Sequence, residues 1–254
     1  MVHEPGPMIP GRPPPPAKPK RFYASATVEG RDGGFALLLD GRGARTPARR
    51  PLALPSEAAA EALAAEWNAQ AAVIDPALMP LTRMSNTAID GVAEQMAAVA
   101  DEVKRYLASD LLVYRAAEPA ALAAAQAERW DPVLAWARDE HGARFALAEG
   151  VTFVPQPPAT LAAMGAVVDA VAGGGPAAPF RLSALHVMTT LTGSALLACA
   201  VMRGRLDPEA AWAAAHVDEL FQEARWGADA EALERRARRW ADMKAAAALG
   251  RLAG

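Results

Sequence analysis

The run Leu182-Ser-Ala-Leu-His-Val-Met-Thr-Thr-Leu-Thr-Gly-Ser-Ala-Leu-Leu-Ala-Cys-Ala-Val-Met202 decides the fold class. No side chain in it is charged when His186 is neutral, and it is long enough to cross a bilayer. It also carries Ser183, Thr189, Thr190, Thr192, Gly193 and Ser194, a polar density that opposes insertion. The reading is therefore a buried central helix of a soluble protein, with Ser183 placed to cap its start. Thr192-Gly193-Ser194-Ala195 falls inside that helical pattern, where small residues let a neighbouring helix approach closely.

The chain around this helix has 254 residues, 52% of them hydrophobic and 22% charged, enough to bury a core. A net charge of −3 with mixed signs gives no footprint of a nucleic-acid binder. Cys199 is the single cysteine, so there is no internal disulfide, and it reads as a buried, inert thiol in a reducing cytosolic setting. No Cys/His spacing matches a zinc site.

Residues 1–20 hold Pro5, Pro7, Pro10, Pro13 to Pro16 and Pro19, which predicts an extended, mobile tail. It resembles neither a secretory signal nor a mitochondrial presequence. The segment from Arg21 to Pro55 reads as β: Phe22, Ala24, Ala26 and Val28 alternate, Phe35 to Leu39 follows, and Asp40-Gly41 is a hairpin signal. Arg45 to Leu54 supplies a third, irregular strand.

Helical patterns dominate afterwards: Glu57 to Ala71 capped by Ser56, Ser85 to Leu107, Pro119 to Gly142, Pro158 to Ala172, Asp207 to Trp226, and Asp229 to Leu249. Phe145 to Val154 has strand character. The expected fold is α+β: a tail over 1–20, an α+β domain with a small antiparallel sheet over 21–112, and an all-helical domain over 113–254.

The glycine clusters do not open helices, so they are not phosphate loops. Ser194 and His186 are the residues a hydrolase reading would use, without a strand-to-helix elbow to support them. At 100° per residue from Asp207 to Trp226, Ala210, Ala213, Ala214, Val217, Leu220, Phe221 and Ala224 form a core face. Trp212, His216, Glu219, Glu223 and Trp226 line the opposite side. Such a ridge reads either as rings packed on adjoining helices with exposed acids, or as a partner-binding strip anchored by tryptophan. Around Glu66-Trp67-Asn68 and Gln70 the expectation is a buried Trp with its indole N–H satisfied locally.

Several segments, taken in order, resemble one family, the mitochondrial and alpha-proteobacterial ATP synthase assembly factor 2 family. They are Lys20-Arg21-Phe22-Tyr23, Leu39-Asp40-Gly41-Arg42, Thr46-Pro47, Ala65-Glu66-Trp67 with Gln70, and Met79-Pro80-Leu81-Thr82-Arg83. Asn86-Thr87-Ala88-Ile89-Asp90, Asp110-Leu111-Leu112, Tyr114-Arg115, Gln126, Trp130-Asp131-Pro132, Gly193-Ser194, Glu219, Gln222 and Trp226-Gly227 complete the set.

The resemblance implies a non-enzymatic assembly chaperone without cofactor. Its partner would be the unassembled alpha subunit of the ATP synthase catalytic head, held until the beta subunit replaces it. It points to Glu219, Gln222 and Trp226 as the functional residues, with Trp212, Glu223 and His216 beside them. A monomer with no membrane span is expected, in the cytoplasm of a bacterium or, for organellar relatives, the mitochondrial matrix. An enzyme using Ser194 and His186, or a small-ligand module on the same ridge, are the rival readings.

Overall fold

The computed structural model describes residues 18–31, 33–150 and 152–254; most of the proline-rich tail expected over 1–20 lies outside them. The β segment forms a small antiparallel sheet: β1 (Ala26–Arg31), β2 (Gly34–Leu39), β3 (Arg42–Gly43) and β4 (Ala53–Leu54), with β2 pairing all three others. Leu39 faces Arg42 across a two-residue loop. Asp40 (φ 47°) and Gly41 (φ 78°) both take the left-handed conformation that a tight hairpin with this twist requires. Phe22 stands outside the sheet and is exposed, not part of the alternating core pattern that the sequence suggests.

Helix α1 (Glu57–Asn68) lies on the sheet, burying Ala59, Ala60, Leu63 and Ala64. The Ser56 hydroxyl caps it by accepting from Ala59 N, and donates to the Leu252 carbonyl at the far end of the chain. The pattern read as one helix from Ser85 to Leu107 is two: α2 (Pro80–Asp90) and α3 (Met96–Leu107). They part at Gly91, where the chain makes a short 3-10 turn over Val92–Glu94. An apolar stripe at helical spacing continues through that turn, which is why the sequence conceals it.

After Leu111–Val113, β5 (Tyr114–Arg115) leads to α4 (Ala120–His141), which ends at Gly142 in the left-handed conformation. The stretch Phe145 to Val154 contributes only β6 (Ala148–Glu149), parallel to β5. Then come α5 (Pro158–Ala172), α6 (Ala178–Thr192), α7 (Ala195–Met202), α8 (Pro208–Ala215), α9 (Val217–Trp226) and α10 (Ala230–Leu252). No helix among the described residues is long and apolar enough to cross a membrane.

The apolar run is the centre of the molecule, but as two helices. α6 starts four residues before Leu182, so Ser183 lies within it, buried, and does not cap it. At Gly193 (φ 69°) the chain turns, and Ser194 caps α7 by accepting from Leu197 N at 3.0 Å. The buried hydroxyls of Thr189 and Thr192 donate to Leu185 O and Met188 O at 2.8 and 2.7 Å, so they enter the core without orphaned donors. α6 packs most extensively on α10, through buried Met243, Ala246, Leu249 and Gly250. A Cβ at Gly250 would crowd the flexible end of the Met202 side chain and lie 3.3 Å from Ala184 Cβ of α6, so a larger residue here would make these neighbours shift.

The turn between α6 and α7 is held by Asp110, which is fully buried. Its carboxylate accepts from Leu112 N (3.1 Å) and Leu196 N (3.0 Å) and bonds to the Ser194 hydroxyl and Ala195 N. Leu111 N donates to Gly193 O at 3.2 Å. Asp110-Leu111-Leu112 and Gly193-Ser194, far apart in sequence, thus form one lock. Burial outweighs these hydrogen bonds and pushes the Asp110 carboxyl up to about 6.

Glu66 plays a matching part at α2: it accepts from Leu81 N, Thr82 N and Thr82 Oγ1 at 2.8, 2.8 and 2.6 Å. A carboxylate from α1 therefore satisfies the first N–H groups of a helix that has no cap of its own.

Candidate functional site

The stretch read as a single helix from Asp207 to Trp226 breaks at His216 (φ −116°, ψ 23°) into α8 and α9. The break is stabilised from three sides. The His216 ring Nδ1 lies 2.8 Å from the Trp212 carbonyl. The Trp130 indole, buried on α4, donates to Ala214 O at 2.8 Å and takes a carbonyl that a continuous helix would use itself. Gln126, also buried on α4, donates to Asp218 Oδ1 at 2.7 Å, while its own oxygen accepts from Ala116 N at 2.8 Å.

Arg115 completes the group: it stacks over the Trp130 ring at 5.2 Å and pairs with Asp131 at 2.6 Å. Tyr114-Arg115, Gln126, Trp130-Asp131 and α9, scattered in sequence, meet here.

The break separates the expected ridge into two parts. Trp212 is half-buried, its ring 3.9 Å from His216 and 5.5 Å from Trp240 of α10. His216 is only 5% exposed. Those two residues pack inward, between α8 and α10. Burial disfavours the imidazolium and lowers the His216 pKa, with Arg236 and Arg239 adding to the effect against Glu219 and the Trp212 carbonyl.

Glu223 is partly covered by a bidentate pair with Arg236 of α10, at 2.8 and 2.5 Å, which holds its carboxyl below the usual range. Glu219, Gln222 and Trp226 face solvent, Trp226 with 77% of its surface open. Among the described residues Glu219 enters no ion pair. The residues expected as core on this stretch are also redistributed. Ala214 and Val217 are buried and Phe221 half-buried, whereas Leu220 is 41% exposed and Ala210 and Ala224 are open.

Leu220 and Trp226, with Leu233 at the start of α10, leave large apolar side chains in water on the α9–α10 hairpin. Gly227 (φ 86°) ends α9, and Asp229 caps α10 by accepting from Glu231 N and Ala232 N. The hairpin is thus fixed at its turn while its outer face carries an indole, a carboxylate and an amide. That set can bind a protein surface, and it holds no nucleophile paired with a base.

The rival pair does not assemble a hydrolase site. Ser194 is fully buried and its hydroxyl serves as a helix cap and a partner of Asp110. His186, within α6, sits 3.4 Å from Glu102 of α3. Burial raises the Cys199 thiol to about 12, leaving it protonated and inert. Among the described residues no His, Cys, Asp and Glu group has the grouping of a metal site. The Trp67 indole N–H, expected to be satisfied locally, has no partner; instead the Trp67 carbonyl accepts from the Tyr23 hydroxyl at 2.7 Å.

This combination, a small sheet with α1 upon it and a helical body built around α6, is the fold of a class of assembly chaperones. The ATP12 chaperone protein family model matches residues 20–138. The structure of a candidate chaperone from Agrobacterium tumefaciens is 49% identical with TM-score 0.87, covering 92% of this chain and 86% of that one. Atp12 from Paracoccus denitrificans is 46% identical with TM-score 0.84, covering 93% and 99%. An aspartate-to-lysine mutant of the P. denitrificans protein superposes with the same TM-score of 0.84 at 45% identity, covering 94% and 100%. The chain belongs to the ATP12 chaperone family, whose members are described as chaperones and not as enzymes.

Proposed function

We propose that this chaperone binds the unassembled alpha subunit of the ATP synthase catalytic head and keeps it from aggregating until the beta subunit takes its place. An orphan subunit exposes a large apolar interface, which self-associates unless covered. A cover that must later leave needs a few strong anchors within a moderate area.

The observation that carries the reading is Trp226. It is the most exposed large apolar side chain among the described residues, and it stands beside the unpaired carboxylate of Glu219 and the amide of Gln222 on a braced helix. An exposed indole next to an acid suits a client surface with an apolar pocket rimmed by basic groups. Trp212, His216 and Glu223 contribute by fixing the angle of α9.

Co-expression with the ATP synthase alpha subunit tests this. The wild-type chain should co-purify with the subunit, and Trp226→Ala, still folded by circular dichroism, should recover much less of it. Equal recovery with both chains would remove α9 from the interface, and no recovery with either would remove the client.

A further inference from the structure

A second surface, beside the N-terminal sheet, remains unexplained by α9. The start of the described chain is clamped. The Arg21 guanidinium donates to the carbonyls of Tyr23, Gln70 and Ala24 at 3.1, 2.5 and 2.7 Å. Asp40 accepts from Ala24 N and Ser25 N at 3.0 and 2.9 Å. Arg21 N and Ile74 N bond to Ala72 O and Pro19 O at 3.0 and 2.8 Å.

Between these clamps Phe22 points outward, 71% exposed, its ring edge-on to Tyr23 at 5.5 Å. Tyr23 meets Trp67 at the same centroid distance of 5.5 Å. The three rings, with Leu39, wall a groove of about 550 Å³ that runs to Arg42 and Arg45 on the β3 side.

A large aromatic side chain left in water on a backbone fixed from both flanks is already ordered for binding, which is what a strong anchor needs. Charge then selects the ligand. Asp40, the groove's one carboxylate, is spent on backbone N–H groups, which hold its pKa down. Arg42 and Arg45 enter no ion pair among the described residues, and Arg45 bonds only to the Arg49 carbonyl at 2.8 Å. The mouth is thus apolar with a net positive rim, whereas α9 presents the unpaired carboxylate of Glu219.

We infer that the Phe22–Tyr23–Trp67 groove is a second docking site for the client protein. It takes an extended segment in which a bulky apolar residue lies next to an aspartate or glutamate. The inference rests on the client-binding reading above. Two sites, one beside the sheet and one on α9, would fix the client's orientation as well as its affinity.

The test uses the full chain and the purified ATP synthase alpha subunit, with affinity read by fluorescence anisotropy. Phe22→Ala and the double variant Arg42→Glu/Arg45→Glu, both folded, should each weaken binding about tenfold, and the charge variant should flatten its salt dependence. A photo-crosslinker at position 22 should attach to an acidic, apolar stretch of the client. Client binding that stays within about twofold in both variants while Trp226→Ala abolishes it would overturn this inference and leave the first reading standing. Crosslinking to residues 1–17 of the same chain, or to a second copy, would overturn it as well, because the groove would then have another occupant.

Discussion

Replacing Asp110 by asparagine probes the lock that joins α3, α6 and α7. The carboxylate sits in a dry site and takes hydrogen bonds from Leu112 N, Leu196 N, Ala195 N and Ser194. Its rise from 3.8 to about 6 corresponds to an ionisation penalty of roughly 3 kcal/mol in the folded state. Orphaning buried donors costs about 1–3 kcal/mol each. An asparagine keeps one acceptor oxygen but turns its N–H₂ towards those donors, so we expect a net loss of about 2 kcal/mol near neutral pH.

The pH signature is sharper than the magnitude. Because the folded pKa is raised, the native state binds the extra proton between the two pKa values, so Asp110 contributes stability in acid and loses it as pH rises through about 6. The destabilisation by Asp110→Asn should therefore be larger at about pH 4.5 than at about pH 7.5, by roughly 2 kcal/mol. Urea unfolding followed by tryptophan fluorescence at both pH values gives the double difference, from which the other carboxylates cancel. A difference of zero, or of opposite sign, would refute the assignment of a buried, desolvated carboxyl.

Gly34→Ala should cost about 2 kcal/mol or more by thermal unfolding, since φ is 143° and a Cβ there would collide with the Leu54 carbonyl oxygen. Glu66→Ala should lower stability by about 2–3 kcal/mol, because it orphans the first N–H groups of α2; chemical denaturation measures it. Cys199 should resist thiol reagents in the folded chain and react only on unfolding, which an iodoacetamide time course reports.

The helix ends were legible where a residue announces them: Ser56 before α1, Pro158 opening α5, Gly142 after α4 and Asp229 before α10. The hairpin at Asp40-Gly41 was equally plain. The breaks at Gly91, Gly193 and His216 were not, since hydrophobic spacing runs through each of them. Gly193-Ser194 did carry a signal, a left-handed cap followed by an N-cap residue, masked by the apolar run on both sides.

His216 carries no breaker chemistry. Its kink is imposed by Trp130, Gln126 and its own ring, two of them far away in sequence. For the same reason the solvent-facing Glu219 and Trp226 could be read from a helical wheel and Gln222 from the family resemblance, while the inward packing of Trp212 and His216 depends on Trp240 and could not. The locks made by Asp110 and Glu66 join segments whose proximity only the fold creates.

The grip of α9 on its client is most directly tested by the equilibrium affinity of the full chain for the isolated ATP synthase alpha subunit, compared with Glu219→Lys. Glu219 is exposed and unpaired, so the substitution should leave the melting temperature unchanged. The affinity should nevertheless fall at least about tenfold, because a lysine there meets a basic rim. Unchanged affinity in a folded Glu219→Lys chain would contradict the account.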